Sequence, residues 1–298
     1  MRVNPVLEAL GVYPIAELQE RARAMRASGE PLIDFSIGDP REPTPQFIPD
    51  ALKAAIPEVS QYPTVPGIPE LRAAVAGYVR RRFGVEVDPD TQVLPTSGSK
   101  EAIFTTPFAF VDRDHGDAVV YPTPSYPVYE RGTRFSGAEP VPIRLSGDFV
   151  LRSADIPEDV WERARLVWSC TPHNPTGTVA STGDLAGLVE RAREADALFL
   201  SDECYADVYE DDPPASVLQL AGPGARGVLA YFSCSKRSGM TGYRSGAVVG
   251  DADAISALRM LRGSIGVAPA EFVQAAGAAA WLEPHRHLGT DFKSRWMI

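Results

Sequence analysis

The stretch Ser233-Cys234-Ser235-Lys236-Arg237-Ser238-Gly239-Met240-Thr241-Gly242-Tyr243-Arg244-Ser245-Gly246 gathers a lysine, small hydroxyl side chains and an arginine into one short segment. It follows Val228-Leu229-Ala230-Tyr231-Phe232, an apolar run that reads as a buried strand. A lysine just past such a strand stands where open α/β sheets bind ligands. Burial would lower its pKa and leave a neutral amine able to form a Schiff base. Ser233 and Ser235 offer hydroxyls, and Arg244 offers a planar fork suited to phosphate. An amine for an aldehyde, with arginine and hydroxyls for a phosphate, is the set that pyridoxal 5'-phosphate requires. The plainer reading of this segment alone is a solvated lysine beside a Gly-rich turn.

Other loops supply matching chemistry, each after a predicted strand. Gln92-Val93-Leu94-Pro95-Thr96 runs into Ser97-Gly98-Ser99-Lys100 and then a helix predicted from about Glu101 to Phe110. Gly and Ser at a helix start leave backbone N–H groups free to cradle an anion, although many strand–helix turns share this composition. Leu166-Val167-Trp168-Ser169-Cys170 opens onto Thr171-Pro172-His173-Asn174-Pro175-Thr176-Gly177. Its prolines and glycine fix the loop's path and so the Asn174 amide, while Asn-Pro by itself is an ordinary turn signal. His173 reads as loop packing rather than an acid–base group. Ala197-Leu198-Phe199-Leu200-Ser201 delivers Asp202-Glu203-Cys204-Tyr205. A carboxylate ending a buried strand is costly unless a cation meets it, and a pyridinium nitrogen is such a cation. The competing role for Asp202 is a helix N-cap.

The elements that must position these loops follow from periodicity. Helices are predicted over Ile15–Arg26, Pro49–Ile56, about Pro69–Phe83, Tyr126–Phe135, Thr182–Glu194, Ala254–Arg262 and Ala270–Trp281. Further strands are predicted at Asp117–Tyr121, Glu139–Ile143 and Ala247–Gly250, the last able to pair antiparallel, and Leu32–Ile37 reads as extended. The 298 residues, 44% apolar, suffice for one large or two ordinary domains. A formal charge of −10 argues against nucleic-acid binding as the main task. No apolar run reaches a membrane span and Met1–Pro5 opens no signal peptide, which points to the cytoplasm. The three cysteines, Cys170, Cys204 and Cys234, lack metal-ligand spacing and read as buried reduced thiols; no metal site is expected.

Taken with Thr171–Gly177 and Asp202–Tyr205, the lysine stretch resembles the signature of class I/II pyridoxal-phosphate-dependent aminotransferases, over roughly residues 4–283. The resemblance implies the type I fold, a three-layer α/β/α sandwich around a mixed, mostly parallel sheet. It implies residues 1–45 as an N-terminal segment of a small domain, 46–275 as the large cofactor domain, and 276–298 as the start of a small domain cut short. By the same resemblance Lys236 is the catalytic, cofactor-bearing residue. Gly98, Ser99, Lys100, Ser233, Ser235 and Arg244 hold the phosphate. Tyr126 stacks on the ring, Asp202 meets its nitrogen, and Asn174 with Tyr205 meets its phenolic oxygen. Tyr129, beside Tyr126, reads as packing. Tyr62 reaches a neighbour's cofactor across a homodimer, against the plainer reading of a half-buried loop tyrosine, and Gly38 lies at the substrate. The reaction implied is a ping-pong transfer of an amino group between an amino acid and a 2-oxo acid.

Within the family, Ser201–Tyr209, Ser235–Ser238, Tyr243–Gly246, Ser36–Pro40 and Asn4-Pro5 look like N-succinyldiaminopimelate aminotransferases of lysine synthesis, with 2-oxoglutarate as acceptor. Aspartate, aromatic and LL-diaminopimelate aminotransferases, a lyase on the same cofactor, and a catalytically weak cofactor-binding remnant are the competing readings. Ser245 departs from the family's usual aliphatic residue. The family also continues beyond this point and supplies there an arginine for the substrate carboxylate; Arg286 and Arg295 stand outside that context. The chain is therefore expected to bind cofactor and to transaminate poorly.

Overall fold

The computed structural model describes residues 1–33, 38–40, 42–209 and 211–283. The chain divides into a unit of Met1–Arg41 and a larger unit of Glu42–Ile298. In the first, helix α1 (Pro5–Leu10) starts where the Asn4 side chain accepts from the N–H of Val6, and α2 (Pro14–Ala27) follows. Residues 34–37, part of the expected extended piece, lie outside the described residues, as do Arg286 and Arg295.

The larger unit opens with α3 (Phe47–Ala54) and α4 (Pro69–Phe83). Pro69 takes the first turn of α4, where its missing N–H costs nothing, and Gly84 ends it at φ 70°. Then come β1 (Val93–Thr96), α5 (Ser99–Thr105), α6 (Pro107–Phe110), β2 (Ala118–Thr123), α7 (Val128–Ser136) and β3 (Glu139–Arg144). The helix expected over Glu101–Phe110 is thus two pieces, because Pro107 has no N–H to continue the ladder. After α8 (Glu158–Trp161) the chain alternates β4 (Ala164–Cys170), α9 (Thr182–Glu194), β5 (Leu198–Asp202) and β6 (Val228–Ser233). It finishes with α10 (Cys234–Arg237), β7 (Gly246–Gly250), α11 (Ala252–Arg262) and α12 (Glu271–Leu282).

The seven strands form one sheet in the order β1-β7-β6-β5-β4-β2-β3. Strands β2 to β6 pair parallel, and β7 lies antiparallel between β1 and β6. Both faces of the sheet are covered, as parallel strands require. Along β6, Val228, Ala230 and Phe232 pack on one face with side chains of α4, α9 and α12. Leu229 and Tyr231 pack on the other with α5, α7 and α11. This period-two alternation makes the three-layer sandwich. Position 275 falls inside α12, whose Ala276, Ala280 and Trp281 share a core with Leu71, Val75 and Tyr78 of α4. Among the described residues no helix is long and apolar enough to cross a membrane.

Candidate active site

Strand direction brings the chemical loops together. In the parallel trio β4, β5 and β6, Cys170 lies opposite Asp202 and Asp202 opposite Tyr231, so their exit loops leave one edge of the sheet. Because β7 runs the other way, its first residue, Gly246, sits at that same edge, opposite both Thr96 and Ser233. Arg244, just before β7, is thereby returned to Gly98, just after β1. Lys236 lies partly buried on α10, immediately beyond β6.

Asp202 is 4% exposed. Its Oδ2 accepts from the Tyr129 hydroxyl at 2.7 Å and its Oδ1 from the Cys204 N–H at 3.2 Å. Both donors are neutral, and burial pushes the carboxyl's pKa up. A carboxylate placed so suits a ligand that brings its own cation. Tyr129 is a finding against expectation: it packs, its ring stacked on Trp168 at 5.0 Å, but its hydroxyl also holds Asp202. Tyr126 lies before the first residue of α7 and Tyr129 in its first turn, so no shared helical face marks this hydroxyl in the sequence. The Tyr126 ring meets Tyr129 edge-on at 6.0 Å.

Asn174 and Tyr205, on neighbouring exit loops, meet with Asn174 Nδ2 3.4 Å from the Tyr205 hydroxyl. Burial pushes the Tyr205 phenol up, keeping it a protonated donor. The Asn174 loop is tied by the His173 N–H to Thr178 O at 2.7 Å and the Gly177 N–H to His173 O at 2.7 Å. His173 is buried, shares a hydrogen bond of 2.8 Å with Thr176 Oγ1 through Nδ1, and has its pKa lowered by burial, as a packing residue should.

Arg244 adopts the left-handed conformation at φ 56° and donates from Nη1 to Thr241 O and from Nη2 to Ser97 O. Gly98, at φ 74°, takes a conformation that favours glycine, and a Cβ there would stand 2.3 Å from Arg244 Nη2 and displace that guanidinium. Burial lowers the Lys100 pKa, and the charges of Arg244 and Arg131 lower it further, so this end of the site is electropositive. The Ser233 hydroxyl accepts from the N–H of Ser235 at 3.1 Å. Ser245 packs against Gly277 of α12, where an added Cβ would stand 2.5 Å from its Oγ. Tyr62 is 93% exposed, which excludes the half-buried reading, and Gly38 belongs to the N-terminal unit.

Glu203, next to Asp202, points to the other face. Its Oε1 accepts from Ser201 Oγ at 2.9 Å and from the Val217 N–H at 2.8 Å, and burial pushes its pKa from 4.5 up to about 7. Below the unfolded pKa both states hold the proton and folding loses nothing. Between that pKa and about 7 only the unfolded chain ionises, and above it the full penalty, on the order of 3 kcal/mol, applies. Wild-type stability should therefore fall as pH rises from 5 to 8, and Glu203→Gln should flatten that fall. Urea midpoints at the two pH values check this; parallel curves for the two proteins would refute it.

A sheet of this topology, with a lysine, a buried carboxylate, an amide–phenol pair and a glycine-lined cationic corner at one edge, defines a fold type I pyridoxal-phosphate enzyme. The family profile described as aminotransferase class I and II matches residues 30–293, and the chain belongs to that family. Its members use pyridoxal phosphate to move amino groups between amino acids and 2-oxo acids. The chain is 38% identical over 280 residues to LL-diaminopimelate aminotransferase of Aquifex aeolicus (strain VF5), covering 92% of this chain and 71% of that one. It is 38% identical over 288 residues to LL-diaminopimelate aminotransferase of Gloeobacter violaceus (strain ATCC 29082 / PCC 7421), covering 94% and 72%. An aminotransferase from Neisseria meningitidis Z2491 superposes at TM-score 0.89 with 34% identity, covering 98% of this chain and 76% of that one. The Aquifex and Gloeobacter relatives carry the LL-diaminopimelate name rather than the N-succinyl one read from the residue runs.

Proposed function

We propose that this protein transfers an amino group between LL-diaminopimelate and a 2-oxo acid such as 2-oxoglutarate, as a cytoplasmic homodimer in lysine synthesis. The relatives' names support the substrate. One observation carries the reaction: a buried Asp202, held by neutral donors, shares a sheet edge with Lys236, Arg244 and the Asn174–Tyr205 pair. Bound pyridoxal phosphate supplies an electron-accepting ring for the pair left by the broken Cα–H bond and stores the amino group between half-reactions.

The rest is the work of this chain's residues. Arg244, with Lys100, the Ser233 and Ser235 hydroxyls and the backbone at Gly98–Ser99, binds the phosphate. Asp202 holds the ring nitrogen's proton in place, and Tyr129 and the Cys204 N–H hold Asp202. Asn174 and Tyr205 bind and orient the phenolic oxygen, and Tyr126 excludes water from one ring face. The Lys236 amine holds the cofactor's aldehyde carbon in the resting enzyme. As a free amine it would take the proton from the substrate's α-carbon and later return one. Tyr62, wholly solvent-facing on this chain, is offered to the phosphate bound by a second copy.

Half-reactions with LL-diaminopimelate and with its N-succinyl derivative test the substrate. The free diamine should be preferred by about tenfold or more in kcat/KM; preference for the succinylated compound would restore the N-succinyl reading. Borohydride reduction of the holoenzyme followed by mass mapping should place the cofactor label on Lys236. Label on Lys100 or Lys293 would overturn the assignment.

A further inference from the structure

Arg237, the neighbour of Lys236, is a charged residue that the reaction does not use, yet its side chain is only 3% exposed. Its Nη1 donates to Ala280 O at 2.6 Å and to Ser238 Oγ at 3.1 Å, and its Nη2 donates to Glu283 O at 2.6 Å. The guanidinium thus caps the C-terminal carbonyls of α12, where positive charge is favoured. It also lies over the rings of Tyr78 and Trp281, at 5.0 and 5.1 Å. Its Nε stands 2.9 Å from Asp207 Oδ2 as an ion pair, not aligned as a hydrogen bond. Asp207 is equally buried and lies two residues past Tyr205. Its carboxylate also takes the Tyr78 hydroxyl at 3.0 Å and Arg82 Nε at 3.1 Å.

The strands alone do not fix these loops to one another. The Glu203 N–H still donates to Tyr231 O at 2.9 Å, but past it the backbone bonds of the 204–209 loop that are seen are local turns. Lys236 and Arg237 are consecutive on α10, so their side chains diverge by about 100°. Anchoring Arg237 on α12 and Asp207 therefore aims Lys236 away from α12 and sets how far it stands from the Tyr205 loop. We infer that Arg237, paired with Asp207, is a positioning residue that fixes the Lys236 amine against Tyr205 and so against the cofactor ring. This inference rests on Lys236 and Tyr205 having the roles proposed above.

The test uses the purified holoenzymes of Arg237→Lys, Asp207→Asn and, as a control, Arg81→Met. Arg81 donates to Trp281 O at 2.5 Å, so its loss loosens the same end of α12 without touching either loop. Arg237→Lys keeps the charge and the fold's apolar contacts, but one ammonium cannot serve Asp207, Ala280 and Glu283 together. Both loop variants should lower kcat of the half-reaction about 100-fold, with KM for the amino donor changed by less than about threefold. Each should also lose about half or more of the visible circular dichroism per bound cofactor, which reads the ring's orientation. Arg81→Met should keep kcat and the dichroism near wild type. Should Asp207→Asn fail to fold, Arg237→Lys decides alone. Unchanged dichroism and kcat in Arg237→Lys, or an equal loss in Arg81→Met, would overturn the inference. Borohydride label on a residue other than Lys236 would instead sink the assignment on which it rests.

Discussion

Asp202→Asn is expected to leave the cofactor bound and to slow removal of the substrate's α-proton by at least about a hundredfold. The asparagine is the same size, so the Cys204 N–H can still find an oxygen and the Tyr129 hydroxyl an amide partner. What is lost is charge. At 4% exposure the carboxylate acts with little water between it and a ring proton, where electrostatic stabilisation exceeds its value at the surface. A charge-assisted hydrogen bond of about 3 kcal/mol, made fully only as electrons enter the ring, gives the hundredfold figure. Single-turnover kinetics with α-deuterated substrate measure it, and the isotope effect should grow as proton transfer becomes limiting. A loss smaller than about tenfold would remove Asp202 from this role.

Lys236→Ala should cost more, about ten-thousandfold in turnover, because one amine is proposed both to hold the cofactor and to carry the proton. General acid–base transfer by a positioned side chain accounts for about 10²–10⁴ of such a loss. Cofactor affinity should fall far less, since Arg244, Gly98 and the Asn174–Tyr205 pair remain. Added small amines should restore part of the rate, with a dependence on amine basicity that locates the missing proton carrier. Turnover within about a hundredfold of wild type, without added amine, would show that another base does the work.

Much of the site is legible in the sequence because its parts are local. Apolar runs of five or so residues, each ended by a small polar residue ahead of a loop, identify the strands and the loops that leave them, and Asn174, Asp202 and Lys236 each stand at such an exit. The proline-rich Thr171–Gly177 loop and the Gly98 turn likewise carry their reasons in neighbouring residues. Helix ends were less legible where one residue overrides the period, as Pro107 does between α5 and α6. Helix α1 (Pro5–Leu10) buries no side chain and so leaves no apolar stripe to read.

What only the tertiary structure decided are the pairings across sequence distance. The hydroxyl of Tyr129 reaches Asp202 because α7 covers the face of the sheet on which Trp168 lies, and no local pattern encodes that reach. Arg244 meets Gly98 because β7 runs antiparallel between β1 and β6 and returns the chain to its starting edge. Ser245 meets Gly277 of α12, a pairing in which the helix position has no room for a side chain. Arg237 has no signal in its own segment, and only in the fold do Asp207, Tyr78 and the end of α12 close around it. Residue type and spacing determine which groups the chain can offer, since those depend on local periodicity and turn chemistry. Which groups meet depends on strand order and helix packing, which are set by burial summed over the whole sheet.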